Sequence, residues 1–320
     1  MMKKGLMVMI MFLVMTAVVF AGGQRATGPE NWPTRPVQVI VPFNPGGDTD
    51  FYARLFSRFL TEYFGQQFVV SNMPGGSGTV GSMFVRDARP DGYTLLVYHE
   101  SLLINYIAGI SPFSHTSFDM GAGLVLDDTF LIVTHRDSPL RTLNDVVSAA
   151  RANPGNVVFG SNFGFSNFNS RWFERYQNIR FNIVDAGGAS EANAALLARR
   201  LDLNTNPSGS IMPFVRSGDF HIVAILSEER NPNIPALTAV EQGFNWLSSR
   251  YYFTLFPQGT PRIIIDRMAE AIRVVSQNPR LIEEMQTAFS TTPGFLNPEQ
   301  LRQRLDTTLA EFSKEADLLR

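Results

Sequence analysis

The segment Asn44-Pro45-Gly46-Gly47-Asp48-Thr49-Asp50 joins an apolar run to a helical pattern, and its residue types suit anion binding. Glycines let consecutive backbone N–H groups turn into one concavity, and a helix N-terminus adds unpaired donors and about half a positive charge. Such a loop holds a carboxylate or phosphate without lysine or arginine. Asp48 or Asp50 capping the helix is compatible with the same reading. A second glycine loop, Gly76-Ser77-Gly78-Thr79-Val80-Gly81, formally matches a dinucleotide fingerprint. Pro74 intervenes after its strand and no acidic residue closes a following strand at the required distance, so a cofactor site is not expected there. No cofactor is expected anywhere in the chain.

Catalytic patterns are sparse. The sequence has no G-x-S-x-G elbow, no H-E-x-x-H and no Walker lysine. Its four histidines, His99, His115, His135 and His221, have no i, i+4 pairing and flank or lie within expected strands, which suits structural or surface roles and no metal. The chain has no cysteine, which excludes disulfides, a thiol nucleophile, zinc-thiolate sites and an acylated N-terminal cysteine. Of 27 basic residues only Lys3, Lys4 and Lys314 are lysines. Schiff-base chemistry is thereby effectively excluded, and a net charge of −2 argues against nucleic acid.

The elements that must position these loops follow from periodicity. Strands are expected at 37–43, 68–71, 94–98, 130–134, 157–160, 181–185, 201–204, 220–226 and 251–256. Helices are expected at 50–64, 79–88, from Thr142 with a capping box to Asp145, at 169–178 and 190–200, and over most of the chain after Pro261. This alternation predicts an α/β protein with mostly parallel sheets. Lys3 and Lys4 followed by an apolar run over 6–20 and Val19-Phe20-Ala21 predict an export signal cleaved near Ala21, with 22–31 as a flexible leader. A run of about 15 residues is shorter than the roughly 20 needed to span a bilayer.

A family resemblance runs through the chain in order. Trp32-Pro33-Thr34-Arg35-Pro36-Val37, Ile40-Val41-Pro42-Phe43 with Gly46-Gly47 and Thr49-Asp50, Pro90-Asp91-Gly92-Tyr93-Thr94-Leu95, Gly160-Ser161, Ala239-Val240-Glu241-Gln242-Gly243-Phe244 and Gly259-Thr260-Pro261 resemble the Bug (TctC-like) solute-binding proteins. These are extracytoplasmic receptors of tripartite tricarboxylate transporters. The resemblance implies a two-lobed Venus-flytrap, periplasmic-binding-protein fold (type II-like) with a ligand cleft between the lobes. It implies one lobe from 32–128 plus 252–320 and another from 129–251. It also implies a non-enzymatic, monomeric periplasmic protein that passes a small organic solute to membrane subunits.

The residues expected to meet that solute are Phe43, Asn44, Gly46, Gly47, Asp48, Thr49 and Asp50 on one lobe and Ser161, Asn162, Phe165, Ser166 and Asn167 on the other. Asp185 is a further candidate from the strand beside the second loop. Asp48 stands where the family usually has a small residue, Asn169 near a usual histidine, and Asp185 near a usual tyrosine. Two added carboxylates near the cleft would repel a polyanion and favour a solute with one carboxylate plus a cationic or donor group, unless both aspartates cap helices or face solvent. Two other functions fit the same features less closely: a sensor feeding a membrane kinase, and an exported hydrolase or lyase using Asp185 as base.

Overall fold

Each sheet is apolar on both faces because helices cover both, which is why its strands read as nearly continuous apolar runs. The computed structural model describes residues 28–161 and 164–319. The expected export signal, most of the leader, Asn162 and Phe163 lie outside the described residues. In the first sheet β1 (Val37–Val41) pairs in parallel with β2 (Phe68–Asn72) and with β3 (Thr94–His99). Then β10 (Arg250–Pro257) runs antiparallel between β3 and β4 (Phe118–Asp127), and β11 (Pro293–Leu296) closes the order β11-β4-β10-β3-β1-β2. The second sheet has the order β7-β6-β8-β5-β9, from β5 (Phe130–His135), β6 (Val158–Ser161), β7 (Asn182–Asp185), β8 (Leu203–Pro207) and β9 (Phe220–Ile225).

The sheets are mixed, which corrects the expectation of mostly parallel pairing. The chain leaves the first sheet along β4 and returns along β10, and the two are antiparallel neighbours. In the second sheet β5 is antiparallel to both β8 and β9. Strand β4, rich in glycine, and helix α3 (Ser101–Ile107) carry no clear period and were not expected.

Side-chain alternation divides each sheet between two cores. Val37, Val39 and Val41 face α1 (Asp48–Phe64) through Phe56, Phe59 and Leu60, and face α8 (Arg262–Val275) through Met268 and Ile272. Ile40 and Leu96 point the other way, toward Leu301 and Leu305 of α10 (Pro298–Lys314). In the second sheet Phe130 and Ile132 join Trp246 and Phe173, whose rings stack at 3.7 Å, while Leu131 and Val133 join Leu196 and Ile211. The capping box expected at Thr142 forms at α4 (Leu143–Ala152): Asp145 N donates to Thr142 Oγ1 at 3.2 Å, and Thr142 N to Asp145 Oδ2 at 2.8 Å.

Buried carboxyls pin both crossings between the sheets. Asp127 accepts from Thr129 N at 2.9 Å and Thr129 Oγ1 and Tyr52 Oη at 2.6 Å each. Glu100 accepts from Tyr251 N at 2.7 Å. Burial raises Asp127 to about 6 and Glu100 to about 7, against the hydrogen bonds that favour their ionised forms. Both folded values exceed the unfolded ones, so this contribution to stability is full below about pH 4 and is lost as pH rises through 6 and 7. The melting temperature of the wild type should therefore fall relative to that of Asp127→Asn between pH 5 and 8. The expected difference over that range is roughly 1 kcal/mol, because about one pH unit separates pH 5 from the folded value, and it is read from parallel denaturation curves. Parallel pH profiles for the two proteins would refute it.

Candidate functional site

The first glycine loop turns into a helix N-terminus, as its residue types suggest. Gly46 has φ +86°, which favours glycine, and Gly47 caps α1 without a side-chain cap. Gly46 N donates to Asp50 Oδ2 at 3.0 Å. Asp50 also accepts from Arg54 Nε at 2.9 Å and from Asn72 Nδ2 at 2.9 Å. Burial pushes its pKa up, but the Arg54 guanidinium, the Gly46 amide and Asn72 outweigh it and hold the carboxyl below its ordinary value. Asp50 thus braces the loop from within.

Asp48 has a different role. It is buried, receives Arg250 Nη1 at 2.7 Å, and accepts a hydrogen bond from Tyr252 Oη. Arg250 is only 2% exposed, and its Nη2 reaches Ser166 Oγ at 3.3 Å. Its guanidinium lies over the rings of Phe130 at 4.8 Å and Phe165 at 5.6 Å. One side chain at the start of β10 therefore joins the first glycine loop to α5 (Phe165–Gln177) on the other sheet.

Facing the α1 N-terminus is that of α6 (Ala189–Leu197), capped by Gly188, again without a side-chain cap. Ser190 Oγ donates to Pro45 O at 3.2 Å, and Asn44 Nδ2 to Glu191 Oε1. A cavity of about 10 Å³ remains between the helix ends, lined by Phe43, Asn44, Asp48, Thr49, His99, Asn206 and Arg250 with Gly47 and Gly188. That is space for about one water. Thr49 Oγ1 and Arg250 Nε are buried there with no partner. His99 stacks on Phe43, ring planes 3° apart, and its Nδ1 accepts from Ser101 N at 3.3 Å. Burial and the nearby Arg250 charge depress its pKa well below the usual histidine range, so it is neutral.

The structure brings Phe43, Asn44, Gly47, Asp48, Thr49 and Asp50 to this cavity, with Gly46 beside it. Ser166 and Phe165 reach it through Arg250. Ser161 is buried at the end of β6, and neither it nor the half-buried Asn167 lines the cavity. Asp185 is exposed, with its carboxylate accepting from Gly187 N at 3.0 Å. Asn169 braces Trp246 by accepting from its indole N–H. Sequence reasoning missed Arg250, Asn206 and the α6 N-terminus, and assigned His99 a structural or surface role. Among the described residues no group of three His, Cys, Asp or Glu could hold a metal ion.

Two mixed sheets meeting at such a cleft define the class: a two-lobed, Venus-flytrap periplasmic-binding-protein fold. Solved structures share it. A Rhodopseudomonas palustris protein, Rpa4515 with adipate, superposes with TM-score 0.82 at 21% identity, covering 90% of this chain and 98% of its own. MatC from the same organism, with bound malate, gives 0.80 at 23%, covering 90% and 100%. The chain belongs to the tripartite tricarboxylate transporter family receptors, whose profile matches residues 52–313. Protein BugT of Bordetella pertussis is 29% identical over 294 residues, 89% of each chain. No described helix is long and apolar enough to cross a membrane.

Proposed function

We propose that the protein captures a small carboxylate-bearing organic solute, an organic acid or an amino-acid-like molecule, between its two lobes. Exported to the periplasm and cleaved near Ala21, it acts as a monomer and delivers the solute to membrane subunits of a tripartite tricarboxylate-type transporter. It works by binding and lobe closure, not by catalysis. The lobes comprise 32–128 with 252–320, and 129–251.

The observation that carries this reading is the pair of helix N-termini facing each other across the cleft, neither capped by a side chain. Each end presents unpaired N–H groups and partial positive charge, and abutting two such ends favours an anion between them. Thr49 Oγ1 and Arg250 Nε add two unpartnered donors at the same point. The neighbours whose names carry adipate and malate support the solute class. The contacts to the solute come from Asn44, Gly47, Thr49 and Arg250, with His99 and Asn206 on the cavity wall, while the Gly46 amide, expected to meet the solute, is taken by Asp50. Native mass spectrometry of protein purified from its host should find a carboxylate compound at near one-to-one ratio, released by unfolding. Protein with no such compound, and no binding in a titration against a carboxylate panel, would refute the reading.

A further inference from the structure

We propose that Asp48 restricts the cleft to solutes carrying a single carboxylate. The inference rests on the reading of this cleft as a carboxylate site and names the residue that sets its charge limit.

Asp48 occupies the first position of α1, yet its carboxylate caps no helix amide. It turns instead to Arg250 Nη1 and the Tyr252 hydroxyl and serves as the counterion of a buried guanidinium. Two more carboxylates stand at the facing helix ends. Asp50 is held by the Gly46 amide, Arg54 and Asn72, and Glu191 by Asn44. Against these three negative charges stand Arg250, the half-exposed Arg54 and about half a charge from each helix end. The balance is near neutral before any solute enters. One carboxylate brings the site to a net charge of about −1 and a second to about −2, so the second adds a further buried, uncompensated charge beside the first, which is costly in a desolvated site.

The free donors point the same way. Among the described residues that line the cavity, Thr49 Oγ1 and Arg250 Nε are buried donors without partners, and together they match the two oxygens of one carboxylate, while Glu191 Oε2 beside the cavity is a buried acceptor without one. The Arg250 edge that could receive a second carboxylate is occupied by Asp48 itself. Removing the Asp48 charge opens that edge.

The test is calorimetric titration of wild type and Asp48→Asn with butyrate and succinate, which share a four-carbon chain and differ by one carboxylate. The wild type should bind butyrate at least tenfold more tightly than succinate. In Asp48→Asn the ratio of succinate to butyrate affinity should rise at least tenfold. An unchanged ratio in the folded variant overturns the proposal. Should that variant fail to fold, the wild-type ranking decides alone: succinate binding as tightly as butyrate, or more so, overturns the proposal and leaves the carboxylate cleft standing. Binding of neither acid overturns the proposal, while the carboxylate cleft itself is decided by the wider panel and the native mass spectrum.

Discussion

Replacing Arg250 by alanine should destabilise the protein by about 3–5 kcal/mol, lower its melting temperature by roughly 10 °C, and abolish solute binding. The cause is the orphaning of Asp48, which is 6% exposed in the intact protein and would be left with the Tyr252 hydroxyl as its donor. A buried carboxylate that loses its counterion costs far more than the pair contributes when intact. The second mutation of the cycle makes the argument sharp. Asp48→Leu combined with Arg250→Met removes both charges together, and should restore most of the lost stability without restoring binding. Lysine at 250 should recover only part, since it keeps the charge but not the planar geometry that reaches Asp48 and Ser166 together. Thermal unfolding of these proteins, together with the Asp48→Leu and Arg250→Met single variants, measures the cycle. A loss below about 1 kcal/mol for Arg250→Ala would show that the pair is not a closed, desolvated contact.

Gly209→Val should hold the lobes apart. Gly209 lies in the first turn of α7 (Ser208–Arg216), and a Cβ there would run into the Phe289 ring at the end of α9 (Pro279–Phe289). That ring cannot swing aside freely, because it packs on Phe51 at 4.4 Å and Tyr52 at 5.0 Å between ring centres. Ser208 Oγ donates to Phe289 O at 2.7 Å beside it, so a wedge here also strains a contact between the two sheets' helices. Overpacking of this kind costs about 1–3 kcal/mol. The expected signs are a larger radius of gyration in solution scattering and at least tenfold weaker solute binding. A variant with wild-type scattering and affinity would show that α7 and α9 are not the closure contact.

Much of this arrangement was legible before the structure. The glycine turn at residues 44–50 that opens a helix, and the alternation of strands with helices, could be read because glycine turns and apolar runs are local signals; the two-lobed arrangement was implied by the family resemblance alone. What stayed hidden depends on distance along the chain. Asp48 and Arg250 meet across 202 positions, and Arg250 sits in Ser248-Ser249-Arg250-Tyr251-Tyr252, which reads as an ordinary strand start. The α6 N-terminus follows Gly187-Gly188, the same kind of signal that marked the first loop, and weighing it equally would have found it. Asp185 looked functional because it stands beside that turn. Its carboxylate is taken by the Gly187 amide two residues on, a local bond that side-chain type alone does not reveal. His99 looked structural and is buried, but its ring forms part of the cavity wall. The antiparallel return of β10 could not be read from pattern, because a strand buried on both faces looks the same in either direction.

The lobes touch here through Asn44 and Glu191, Pro45 and Ser190, and Phe165 N with Ser101 Oγ at 3.1 Å, none of which needs a solute. A receptor that shuts on itself is a gate in front of its own cargo. Apparent affinity is the intrinsic affinity multiplied by the fraction of time the gate stands open, so each 1.4 kcal/mol of self-closure weakens capture tenfold. Uptake from solution would then approach a ceiling set by the opening frequency, however much solute is supplied.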